Sequence, residues 1–67
     1  MMHPAKALET AVFTLAAVRN ADSVNIRNTD IVVGIKSGLY WVNDAGKEYR
    51  HLGRHAAIDL LEQLLVK

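Results

Sequence analysis

The densest run of side chains able to do chemistry is Lys47-Glu48-Tyr49-Arg50-His51-Leu52-Gly53-Arg54-His55, which holds three of the eight Lys and Arg residues and two of the three histidines. It ends where a helix is predicted to begin. A helix N-terminus carries partial positive charge and favours acids. Here Arg54 and His55 occupy the first turn, and no carboxylate follows until Asp59. Free backbone N–H groups at Gly53 to Ala56, with Arg50 and Arg54, are therefore suited to an anion: a phosphate, or the Asp or Glu of a partner. The segment contains no glycine-rich phosphate motif.

Catalytic chemistry is poorly represented. His55 and Asp59 stand four apart, on one face of the predicted helix, but no nucleophile accompanies them. His51, His55 and Asp59 would align as metal ligands only on a helix that began before His51, and Gly53 argues against that. Glu9, Asp22, Asp30, Asp44, Glu48, Asp59 and Glu62 are spread along the chain without an acid–base pair. The sequence therefore predicts no catalytic residues, no metal site and no cofactor.

The elements that must position these residues follow from apolar periodicity. Pro4 suits a first helical position, where its missing N–H has no partner in any case. Leu8, Ala11, Val12 and Leu15 recur at helical spacing, widened by Phe13, Ala16, Ala17 and Val18, and predict a helix over about 4–19 ending at Asn20. Strands are predicted at about 24–27, 31–36, 39–43 and 47–52, the first being weakly patterned. Ser37-Gly38 fits a two-residue hairpin loop, and Asn43–Gly46 a turn with Gly46 in the left-handed position. A second helix is predicted over about 54–66, with Ala57, Ile58, Leu61, Leu64 and Leu65 buried. The expected fold is α+β: helix, three- or four-stranded antiparallel β-meander, helix, in a single small domain spanning 1–67.

Composition narrows the function. A chain of 67 residues buries a modest fraction of its surface. It has no cysteine, which removes disulfides and cysteine-based zinc sites and suits a reducing cytoplasm. Its net charge of +1 implies no general attraction to nucleic acid or membrane. The opening Met1–Lys6 lacks the pattern of a targeting signal, and no apolar run approaches the roughly 20 residues of a membrane span. A hydrophobic fraction of 51% is high for this size and suggests apolar surface left for another chain.

Register locates that surface. The predicted turns pair Lys36 with Leu39, Gly34 with Trp41, Asn43 with Lys47, Trp41 with Tyr49 and Tyr40 with Arg50. One face then carries Ile31, Val33, Ile35, Tyr40, Val42 and Leu52. The other carries Val32, Gly34, Leu39, Trp41, Tyr49 and His51, with Lys36 and Lys47 at its margins, joined by Val24 and Ile26 if the first strand pairs. A solvated antiparallel sheet has one polar face; here neither is polar. The helices are expected mainly on the first face, leaving the second for an interface.

These features lead to a non-enzymatic protein-interaction module, expected as a homodimer, that regulates, inhibits or adapts a larger assembly. Its expected contacts are Leu39, Trp41, Tyr49, Arg50, His51, Arg54 and His55, the basic residues steering an acidic partner. The alternative is a small nucleic-acid-binding protein, with bases stacked on Trp41 and Tyr49 and phosphates held by the 47–55 segment.

Overall fold

The computed structural model describes residues 2–66; Met1 and Lys67 lie outside the described residues. The element order is α1 (Pro4–Ala21), β1 (Ser23–Asn25), β2 (Ile31–Lys36), β3 (Leu39–Asp44), β4 (Lys47–Leu52) and α2 (Arg54–Val66). The strands form one antiparallel sheet in the order β1-β2-β3-β4. This is the helix–meander–helix α+β fold read from the sequence, and the weakly patterned first strand is part of the sheet.

Both helices lie on one face of that sheet. α1 packs on β1 and β2, α2 packs on β3 and β4, and the helices pack on each other. Alanine sets their close approach: Ala7 and Ala11 of α1 and Ala57 of α2 are all fully buried. Val33, Val42, Val18 and Leu61 complete the centre of the core. Ile58 and Leu65 are buried as the α2 pattern predicts, while Leu64 is partly buried at the margin.

α1 departs from the expected face. Leu8, Val12 and Phe13 are exposed, and the buried stripe is Ala7, Ala11, Thr14, Leu15 and Val18. The helix turns its small side chains inward because large ones would hold it away from α2. Thr14 can be buried because its hydroxyl donates to the Thr10 carbonyl at 2.7 Å, satisfying the polar group within the helix. The helix also runs past Asn20 and ends at Asp22, whose φ is 66° and whose N–H donates to the Val18 carbonyl. At the other end, His3 caps the helix, its Nδ1 accepting from the Ala5 N–H.

β1 ends at Asn25 rather than near residue 27. Beyond it, Ile26 turns into the core, and Val24, paired with Val33, also faces the helices. The expectation that Val24 and Ile26 join the opposite face is thus corrected. The turn that follows is held by side chains. Asn25 Nδ2 donates to the Thr29 and Ile31 carbonyls, and the Thr29 hydroxyl donates to the Ile26 carbonyl while accepting from the Ile31 N–H. These bonds occupy the polar groups that a longer strand would have placed in the ladder.

Candidate functional site

The site begins with the β2–β3 hairpin. Ser37 and Gly38 both have positive φ, 53° and 80°, as a two-residue mirror-image turn requires. This fixes Lys36 opposite Leu39, Gly34 opposite Trp41 and Val33 opposite Val42, as the sequence predicts. Val33 and Val42 face the helices, so Gly34 and Trp41 face away from them. The indole lies directly over Gly34: a Cβ at that position would overlap the six-membered ring. The tryptophan covers the buried glycine, a recognised way of shielding a strand glycine.

The β3–β4 hairpin differs from expectation by one residue, and the difference changes the site. The loop is Ala45-Gly46, both at positive φ (53° and 97°), with Asp44 paired to Lys47, Asn43 to Glu48 and Val42 to Tyr49. The expected pairs Asn43–Lys47, Trp41–Tyr49 and Tyr40–Arg50 are not formed. The Asn43 side chain instead closes the turn, its Oδ1 accepting from the Gly46 N–H at 2.9 Å. The physical reason is burial. The expected register sends Glu48 and Arg50 beneath the helices, where an unpaired charge costs several kcal/mol. The observed register sends them outward, and Tyr49 packs against the core instead.

A bulge then restores the alternation. The register shifts between Tyr40 and Val42, so Arg50 and His51 together stand opposite Trp41, and Leu52 pairs with Tyr40. His51 absorbs the extra residue with a φ of 59°. Such bulges bend the strand and re-aim side chains. Here the result is a shallow groove of about 320 Å3 on the uncovered face. Lys36, Leu39, Trp41, Glu48, Arg50 and His51 line it, and Tyr49 borders it from β4. Arg50 Nη2 meets Glu48 Oε2 at 2.7 Å, an exposed pair worth at most about 1 kcal/mol. Lys47 does not enter; its Nζ lies 5.5 Å from the centroid of the Tyr49 ring.

Of the predicted contacts, Leu39, Trp41, Arg50 and His51 are therefore brought together, with Tyr49 at the border. Arg54 and His55 are exposed in the first turn of α2 and are not among the groove-lining residues. That turn begins conventionally, with the Ala57 N–H bonded to the Gly53 carbonyl at 2.9 Å, and carries no acidic residue. Lys36 and Glu48 were not singled out from the sequence as contacts. The pairing of Lys36 with Leu39 was the available signal for the first; the second depended on the turn that sequence reasoning misplaced.

No family model matches this chain, and neither the curated proteins nor the solved structures compared with it give a match.

The remaining surface offers less chemistry. Among the described residues no group of three His, Cys, Asp or Glu side chains is placed to hold a metal ion. His51 sits in a strand bulge and Asp59 on α2, so the i, i+4, i+8 alignment is not realised on one helix. Among the described residues no helix is long and apolar enough to cross a membrane. A second, wider depression lies between α1 and the β1 edge, bordered by Phe13, Val24, Ile26 and Arg27.

Proposed function

We propose that this chain is a small non-enzymatic protein-interaction module that docks through the helix-free face of its sheet, acting as a regulator, inhibitor or adaptor of a larger assembly. One observation carries the reading. Both helices occupy the same side of the sheet, so among the described residues no helix covers Leu39, Trp41 and Val32 on the other. Leu39 is 41% exposed and Trp41 is half-buried, one side of its ring lying over Gly34. Contiguous apolar surface with an aromatic centre and a polar rim is the usual composition of an interface, with tryptophan among the residues that contribute most. A cytoplasmic setting suits a chain without cysteine.

Two occupants meet this description: a second copy, giving a homodimer, or a different protein. The nucleic-acid reading loses its two-ring platform, because Tyr49 packs toward the helices while Trp41 faces away from them. Sedimentation over a range of concentrations, with Trp41→Ala and Leu39→Ser compared to the parent chain, tests the proposal. Docking through this face predicts that any self-association, or any binding to an isolated partner, weakens in both variants while their far-UV dichroism is unchanged. Association that is indifferent to both substitutions would refute it.

A further inference from the structure

The charges around the groove name the partner's chemistry; this inference rests on the docking reading above. Three cationic or ionisable basic side chains line it: Lys36 at the end of β2, and Arg50 and His51 in the β4 bulge. One carboxylate lines it, Glu48, and that group is already engaged by Arg50 at 2.7 Å. Three of the remaining acids, Glu9, Asp59 and Glu62, belong to the helices on the opposite side of the sheet. The groove lining thus combines basic side chains with the apolar Trp41 and Leu39.

We propose that the groove takes a segment of a different protein in which acidic residues flank an apolar one. The apolar side chain rests on Trp41 and Leu39. The carboxylates reach Lys36 and His51, and compete with Glu48 for Arg50. The groove volume of about 320 Å3 is at the small end for an enclosed ligand and suits one or two side chains of an extended segment. A second copy is a poorer occupant. It presents the same face, so pairing brings the Lys36 cations of both chains into one interface whose only groove carboxylates, the two Glu48, are already engaged by Arg50. Like charges brought together oppose association. Nucleic acid is also a poorer occupant. The net charge is +1, one of the rim cations is already paired, and a single ring faces this side, whereas backbone-tracking sites need several cations and successive rings.

The test uses the full chain and the emission of Trp41, its one tryptophan. Three blocked peptides of equal length are titrated, in which leucine alternates with glutamate, serine or lysine, together with an oligothymidylate. The leucine–glutamate peptide is expected to bind at least about tenfold more tightly than the leucine–serine peptide, and the leucine–lysine peptide more weakly than either. Combining Lys36→Ala with Arg50→Ala is expected to remove that preference. Lys47→Ala, which alters a cation outside the groove lining, is expected to preserve it. All these positions are exposed, and an unchanged melting curve confirms that the variants fold.

Equal binding of the three peptides overturns the acidic preference and leaves the docking face intact. Tighter binding of oligothymidylate overturns it in favour of nucleic acid. Shielding of Trp41 that tracks protein concentration overturns it in favour of a second copy. If no probe binds and Trp41 stays open at every concentration, the acidic-partner proposal fails and the docking face loses its support as well.

Discussion

The two faces of this sheet are built from the same strands and have opposite fates. On one, Val33 and Val42 pair across β2 and β3 and are fully buried beneath two helices. On the other, the next pair along, Gly34 and Trp41, packs on itself: the indole lies over the glycine, and among the described residues neither helix lies on that side. The helix side is apolar, whereas the open side mixes Val32, Leu39 and Trp41 with Lys36, Asn43, Glu48, Arg50 and His51. The helices seal the first. α1 and α2 each have one buried stripe, and they satisfy both stripes by packing side by side, which commits them to the same face. In so small a fold, two helices cover one side of the sheet, and Leu39 and Trp41 on the other side are the contacts the proposed docking would use.

That comparison can be broken by substitution. The largest effect is expected at Leu61, fully buried on the helix side: Leu61→Ala should reduce stability by about 2–5 kcal/mol in urea unfolding. Leu39→Ser on the open side should stay within about 0.5 kcal/mol. Comparable losses from the two would mean that the open face is a core. Next is Gly34→Val, which places branched carbons where the indole lies. Displacing the ring should cost about 1–3 kcal/mol and shift Trp41 emission to longer wavelength, and an unshifted spectrum would contradict the stacking. Smaller still is Ala45→Gly. The alanine holds a φ of 53°, and a left-handed residue with a Cβ costs roughly 1–2 kcal/mol, partly offset by the greater chain entropy of glycine. A gain of up to about 1 kcal/mol in thermal unfolding is expected, and a loss would argue for the longer turn and the register it implies. The smallest is Arg50→Ala, which removes an exposed ion pair and should leave unfolding unchanged within about 0.5 kcal/mol.

Much of this fold was legible from the residues. The Ser37-Gly38 turn dictated the β2–β3 register, and the spacing of Ala57, Ile58, Leu61 and Leu65 identified the inner face of α2. The inner face of α1 was misjudged because size was taken as the guide to burial. In a helix pair the tightest contact goes to alanine, and that preference depends on a partner helix which the local pattern does not display. The β4 register was missed for a related reason. Asn43-Asp44-Ala45-Gly46 is compatible with two loop lengths, and the choice between them is made outside the turn, by the penalty of burying Glu48 and Arg50 under the helix layer. The bulge at Arg50-His51 has no glycine to announce it. As for the candidate site, Leu39, Trp41, Arg50 and His51 line one groove, and the bulge that brings Arg50 and His51 together opposite Trp41 has no mark in the sequence. Arg54 and His55 drew notice as neighbours in sequence, but the chain turns at Gly53 from the sheet into the helix layer.

Trp41 faces outward from a sheet whose two helices lie on the other side. Acrylamide quenching of tryptophan fluorescence in dilute protein tests this directly. Efficient quenching is expected in the isolated chain, with protection once a partner is bound. Quenching that is weak at every dilution, as for a ring enclosed within its own fold, would contradict it.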